Sequence, residues 1–572
     1  MQGFLSDEAL ASATWQYLER AVGRLLRYEG FSGVRIVGQT ADEGADILAH
    51  RGANRWLVQV KCRKSTNVGV EVVDQTLSAT EIYKANIPVI ATNQGFTEEA
   101  RRRQIALLAA DRPLQLWDRN QLKKRWERLP AFPPNRPTAR AYQEGPVNVL
   151  VETYRRRNSN SVLIVMATGL GKTFVVAEAV RRINERGKNA LKVLVLAHRN
   201  EIVYQLEKAF WPFLPKTFLT TVWNGYESPD HAAKIVFACV DSVAMYVKNT
   251  GSLPQEYDIV VVDECHHATS QTYSTVLRAN NCGKSGGAFL VGLTATPWRS
   301  DEANLRDIFG EPAVCIDIVE GLKHGWLSNV DYRMHVDNIN WAELGRIRNL
   351  TPRGLNRTLF IHEWDDAVVN QLRDTWYELA KPRAIVFCGT VDHAITMRDR
   401  INALGFTRAE ALYSSGSGGP TISPVQRSRA LCDFHDGITG VLCAVDILNE
   451  GVDLPDVNIV VFQRVTHSRR IFVQQLGRGL RLAKGKEKVI VLDYVSDIRR
   501  FAAGIDLQNQ LGSTPSYVSI GSRVRFMNVA GEDRRAERFL REWIEDVAAV
   551  ESAGEDENVL KFPPPLTDRR DV

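Results

Sequence analysis

Long apolar runs are missing from this 572-residue sequence. Its longest, such as Val162–Ala167 and Ile259–Val262, fall far short of the roughly 20 residues that a membrane-spanning helix needs. No membrane partner is therefore expected. Cysteine is scarce and unpatterned: eight residues stand singly, with no CxxC and no zinc-ligand spacing. That argues against a disulfide scaffold or a zinc module and for reduced core thiols. The opening MQGFLSDEAL lacks a basic segment followed by an apolar one, so no secretory signal is expected and the cytoplasm is the expected compartment. Excess charge of one sign is also lacking. At a net +5, any basic surface that meets nucleic acid has to be local. No repeat of solenoid period occurs.

What remains is a chain of ordinary globular composition, long enough for three or four compact units. Pro130-Ala131-Phe132-Pro133-Pro134-Asn135-Arg136-Pro137 can neither continue a helix nor fill a central strand, and reads as a linker. The pattern upstream, residues 1–129, is helix (13–29), strands (33–37, 45–49, 55–61), helix (70–85), strand (87–92), helix (97–108) and a closing strand-helix pair. Downstream, strands and helices alternate twice over, at 138–310 and 311–500. That alternation argues for an α/β architecture of two doubly wound parallel sheets. Residues 501–572 form a charged extension.

The most informative segment is Met166-Ala167-Thr168-Gly169-Leu170-Gly171-Lys172-Thr173. It follows an apolar strand and precedes a helical pattern, as a phosphate-binding loop does. Backbone N–H groups from Thr168 through Gly171 would curl around an anion at a helix N-terminus. Lys172 would reach the β- and γ-phosphates of ATP, and the Thr173 hydroxyl would hold Mg²⁺. The second signal, Ile259 to Val262 followed by Asp263-Glu264-Cys265-His266, delivers two carboxylates from the end of a buried strand, where open α/β sheets bind ligands. Asp263 would hold Mg²⁺, Glu264 would orient and deprotonate the attacking water, and His266 would sense the γ-phosphate. His267 reads as structural or solvated. In Gln474–Arg481, Arg478 and Arg481 lie three residues apart on one helix face, a clamp for transition-state charge. Clusters at Arg101–Arg103 and Arg155–Arg157 read as solvated helix faces.

These segments, with Gly292–Pro297, Ala384–Cys388 and Val445–Pro455 between them, resemble superfamily 2 helicases over residues 138–500. The likeness is greatest to restriction-subunit and bacterial repair translocases, given DECHH followed by GLTATPWRSD. The resemblance implies two RecA-like lobes that hydrolyse ATP with Mg²⁺. It also implies a role for Asp453 at the nucleotide and for Gln143 on the adenine edge. Gly145-Pro146 is expected to interrupt the helix carrying Gln143.

In the N-terminal unit, Asp46 precedes one strand, and Gln59 and Lys61 share a face of the next by alternation. Phosphodiester hydrolysis needs a metal on oxygen ligands and a cation beside the phosphate. Asp46 and Glu19 could supply acidic oxygens, Gln59 a carbonyl and Lys61 the cation, with Asp42 or Glu43 as alternative second acids. Over residues 13–127 the unit resembles the Mrr-type branch of the PD-(D/E)xK restriction-endonuclease-like fold. Gln59 stands where most of that wider fold has an acid.

Together the resemblances imply an ATP-dependent DNA helicase or translocase coupled to a Mg²⁺-dependent endonuclease, in prokaryotic restriction or anti-phage defence. It would act on double-stranded or unwound DNA, as a homodimer or with defence-system partner subunits. The alternatives are a DNA-repair helicase whose N-terminal unit only binds DNA, an RNA helicase, and a nucleotide-gated scaffold that does not turn over.

Overall fold

In a computed structural model the described residues are 3–37, 44–186, 191–229, 233–295, 302–317, 320–321, 324–336, 362–413, 422–445, 456–463, 482, 486, 488–495 and 524–526. They build three sheets.

The first belongs to the N-terminal unit. Helices α1 (Asp7–Ala11) and α2 (Trp15–Tyr28) lead into β1 (Ser32–Ile36), β2 (Ile47–Arg51) and β3 (Asn54–Lys61). Then come α3 (Val70–Ile82), β4 (Ile87–Thr92), α4 (Glu98–Ala109), β5 (Gln115–Trp117) and α5 (Arg119–Arg128). The strands lie in chain order, antiparallel from β1 to β3 and parallel from β3 to β5. Thr14, Thr97 and Asp118 cap α2, α4 and α5 through their side-chain oxygens, which satisfies backbone donors that a helix start leaves open. Alternation divides the sheet's faces. Ile47, Val58, Val60 and Val89 pack with Leu18, Val22 and Leu25 of α2, while Ile90 packs with Val72 and Val73 of α3.

The second sheet is all parallel, in the order β12-β6-β11-β10-β7-β9-β8. Its strands are β6 (Ser161–Met166), β7 (Val193–Ala197), β8 (Thr220–Trp223), β9 (Ile235–Cys239), β10 (Ile259–Val262), β11 (Phe289–Thr294) and β12 (Pro312–Ile316). Both faces are covered, so strands such as β7 and β10 are apolar throughout, as parallel strands buried on both sides must be. Helices α6 (Ala141–Arg156), α7 (Lys172–Arg186) and α8 (Asn200–Phe210) cover the face of Ile164 and Val195. Helices α9 (Val240–Thr250), α10 (Gln271–Ala279) and α11 (Glu302–Phe309) cover the face of Leu163 and Leu194. Strand β12 still lies in this sheet, although it follows residue 310. Helix α6 runs unbroken through Pro146, contrary to the expected interruption. Pro146 is buried and sits one turn past the helix start, where packing offsets the single backbone donor it lacks.

The third sheet runs β15-β16-β14-β17-β18-β13-β19. It comprises β13 (Asn329–Val336), β14 (Ala384–Cys388), β15 (Ala409–Tyr413), β16 (Val441–Val445), β17 (Ile459–Gln463), β18 (Lys488–Val495) and an antiparallel edge strand β19 (Val524–Phe526). Among the described residues its helices are α12 (His362–Trp376), α13 (Val391–Leu404) and α14 (Pro424–His435).

The N-terminal unit is bound to both lobes by side chains. From α2, buried Arg20 reaches Glu207 at 2.7 Å and Glu227 at 2.6 Å in the first lobe. Arg24 donates to the Phe218 and Pro215 carbonyls at 2.9 and 3.0 Å, and Tyr28 to Leu214. Lys216 donates back to the carbonyls of Glu127 and Leu129 at 2.8 and 2.6 Å. From the second lobe, Asp436 at the end of α14 meets Arg55 at 3.2 Å and Arg35 at 3.6 Å. Burial opposes the Asp436 charge, yet His435, Arg55 and Arg35 hold its carboxyl below the usual range.

Candidate functional sites

Because every strand of the second sheet runs the same way, the residues that follow β6, β10 and β11 emerge at one edge. The loop after β6 turns through Gly169 (φ 97°) and Gly171 (φ 88°), left-handed conformations that favour glycine. At Gly171 space also forbids a side chain, since a Cβ would lie 2.6 Å from Gln143 Nε2. Gln143, third in α6, donates that amide to the Leu170 carbonyl at 2.8 Å and accepts from the Arg140 backbone at 3.0 Å. The expected base-reading residue is thereby fixed against the loop. Tyr142 beside it stacks on Trp326, centroids 4.9 Å apart.

Lys172 opens α7 and donates to the Met166 carbonyl at 3.3 Å, with Glu264 Oε1 3.9 Å away. Thr173 follows on the first turn of the same helix. Glu264 adopts φ 47°, a left-handed turn that is costly for a non-glycine residue. The turn sends its other oxygen to within 3.4 Å of His266 Nδ1. His266 in turn lies 3.4 Å from the Thr294 hydroxyl at the end of β11. A chain of contacts therefore leads from the phosphate loop through Glu264 and His266 to the end of β11. His267 belongs to a row of imidazoles, 4.4 Å from His198 and 4.2 Å from His266.

Two buried oxygens, Asp263 Oδ1 and Thr168 Oγ1, have no hydrogen-bond partner among the described residues. Buried polar atoms without partners are costly, and these two suit a metal-bound nucleotide. Burial and the neighbouring Glu264 carboxylate push the Asp263 carboxyl up to about 6, against the pull of Lys172. A divalent cation would relieve both effects.

In the N-terminal unit, Ile47 pairs with Val58, which puts Asp46 opposite Gln59 at the mouth of the β2–β3 pair. Asp46 is buried and accepts a hydrogen bond from the Val60 backbone. Gln59 is fully buried, and Lys61, two residues on, lies on the same face and is partly exposed. These three are brought together. Glu19 is buried on α2, the helix whose Gly23 comes up against Ile36. Among the described residues no cluster of three or more His, Cys, Asp or Glu could hold a metal. Thr76 on α3, bonded to Gln59, was not among the sequence candidates. Its signal was there to read: a hydroxyl on the apolar stripe Val72, Val73, Thr76, Ala79.

Asp453, Arg478, Arg481 and the alternative acids Asp42 and Glu43 lie outside the described residues. Among the described residues no helix is long and apolar enough to cross a membrane.

Three family models match the chain: a restriction endonuclease domain over residues 10–126, the res subunit of type III restriction enzymes over 136–299, and a helicase conserved C-terminal domain over 367–483. Among curated relatives, a Schizosaccharomyces pombe protein named as a mitochondrial ATP-dependent helicase, irc3, is 26% identical, with 64% of this chain and 59% of that protein aligned. The type I restriction enzyme EcoAI endonuclease subunit of Escherichia coli is also 26% identical, over 71% of this chain and 53% of that protein. The chain thus spans a little over half the length of these relatives. A solved structure of the ATP-dependent type ISP restriction-modification enzyme LlaBIII bound to DNA superposes with a TM-score of 0.49 at 16% identity, covering 96% of this chain and 42% of that one.

Proposed function

We infer that this chain, a superfamily 2 helicase with an N-terminal Mrr-type restriction-endonuclease domain, is an ATP-dependent DNA translocase coupled to a Mg²⁺-dependent endonuclease. Its setting is restriction or anti-phage defence. The observation that carries this reading is the pairing, in one side-chain-locked body, of a phosphate loop facing Glu264 and an Asp46–Gln59–Lys61 cluster.

In the motor, Lys172 would neutralise the β- and γ-phosphates, while Thr173 and Asp263 would hold Mg²⁺, which would supply charge stabilisation at the γ-phosphoryl group. Glu264 orients the attacking water and takes its proton. His266 shifts with Glu264 and passes the change to Thr294 at the end of β11. Arg478 and Arg481 would supply the transition-state clamp. In the nuclease, Asp46 and the Gln59 carbonyl would hold Mg²⁺, and Lys61 would steady the scissile phosphate or the attacking water. Since one such site cuts one strand, a homodimer or partner subunits would complete a double-strand break.

The neutral Gln59 supports one second reading, a repair helicase whose N-terminal domain only binds DNA. Supercoiled-plasmid cleavage with Mg²⁺, with and without ATP, separates the two. Cutting lost in both Lys61→Ala and Lys172→Ala establishes a motor-driven nuclease. DNA-stimulated ATPase with intact plasmid throughout establishes the binding module.

A further inference from the structure

We propose that Thr76 is the positioning residue of the nuclease centre: it fixes Gln59 so that the amide oxygen faces the metal position, and it selects an amide over a carboxylate there. The inference rests on the nuclease reading above. A threonine hydroxyl carries one proton. That of Thr76 is given to the Val72 carbonyl, 2.7 Å away on the previous turn of α3. Towards Gln59, Thr76 can then only accept. The Val72 carbonyl, itself an acceptor, lies 3.2 Å from the same end of the Gln59 amide. Two acceptors on one side require the amide nitrogen there, since oxygen would meet only lone pairs.

With the nitrogen so placed, the Gln59 oxygen accepts from Lys61 Nζ at 3.0 Å, on the face shared with Asp46. Gln59 and Thr76 are both fully buried, so no solvent competes for either group. Gly44 closes the cradle: a Cβ there would lie 2.9 Å from the Gln75 carbonyl and 3.3 Å from the Gln59 amide. A glutamate at 59 would press a carboxylate oxygen against the Val72 carbonyl and draw the Thr76 proton away from that carbonyl, an arrangement that low-dielectric surroundings make costly. The departure from the acid of the wider fold is therefore built into α3 and is not repaired by restoring the acid.

The test uses the full-length chain and two readouts. The first is Mn²⁺ binding without nucleotide, followed by loss of the free-ion paramagnetic resonance signal. The second is the Mg²⁺ concentration that half-saturates plasmid cleavage, with DNA-stimulated ATPase in the same preparations as the internal control. Thr76→Val, nearly isosteric, is expected to raise both metal constants roughly tenfold, the loss of one oriented ligand, and to leave ATPase unchanged. Thr76→Ser, which keeps the hydroxyl, restores wild-type values. Gln59→Glu binds Mn²⁺ no more tightly than wild type, although it adds a negative charge. Tighter binding by Gln59→Glu, or unchanged metal constants in Thr76→Val while cutting still depends on Lys61, overturns the inference alone. A chain that neither cuts DNA nor takes up Mn²⁺ at this site overturns the nuclease reading and the inference with it.

Discussion

Replacing Arg20 by methionine should loosen the N-terminal domain from the first lobe without unfolding either. The guanidinium is buried between two carboxylates, Glu207 at 2.7 Å and Glu227 at 2.6 Å, and methionine keeps the packing of the stem. What it leaves is two buried acids with no other cation paired to them among the described residues. Breaking a buried ion pair from one side costs about 3–5 kcal/mol, which corresponds to a rise of roughly 10²–10⁴-fold in the undocked population. Proteinase K cleavage within residues 130–137 under native conditions reads that population when reclosing is fast.

The penalty carries a sign in pH. Burial already pushes the Glu227 carboxyl above its usual range while Arg20 pulls it down, so removing Arg20 raises it further. An acid whose folded value lies above its unfolded value destabilises the fold as pH rises through the interval between them. The Arg20→Met penalty should accordingly be larger at pH 8 than at pH 5.5. Adding Glu207→Gln and Glu227→Gln should recover most of the loss, because neutral side chains there need no counter-charge. A cleavage rate within about tenfold of wild type at pH 8, or an equal penalty at both pH values, would refute the reasoning.

Gly171→Ala should lower ATPase at least about tenfold: the left-handed backbone costs roughly 1–2 kcal/mol, and the new methyl meets Gln143 at 2.6 Å. Fluorescent-nucleotide titration would show the loss in ATP affinity. Because the Asp263 carboxyl is pushed up to about 6, protons should compete with Mg²⁺ below that pH. The half-saturating Mg²⁺ for ATPase is expected to rise about tenfold per pH unit and excess Mg²⁺ to restore the rate. Asp436→Asn, which leaves Arg35 and Arg55 without their carboxylate, should lower the first urea transition by about 1–2 kcal/mol and leave basal ATPase intact.

Most of the fold was legible because its strands obey simple rules. The parallel strands β7 and β10 are apolar throughout because both faces are covered, and Gln59 and Lys61 share a face because strands alternate. Pro146 misled because the rule for proline in helices is local, whereas the burial that offsets it depends on the rest of the lobe. Thr76 went unseen because a lone hydroxyl in an apolar stripe has no meaning until its neighbours are known. Arg20 offers less still: its partners lie 187 and 207 residues away, and nothing in the spacing of α2 separates a docking arginine from a solvated one.

Lys216 of the first lobe bears on what residues 130–137 do. Its ammonium closes the end of α5, and its backbone N–H is bonded to the Ala131 carbonyl at 2.8 Å. The segment is stitched down at its start, and the bodies it joins are already held by Arg20, Arg24 and Tyr28. A flexible tether would set how far apart two sites can roam and how often they meet. Here it sets neither. The span from the phosphate loop to Lys61 works as a fixed gauge, so residues inserted into the proline-rich stretch would bulge into solvent and leave that span unchanged.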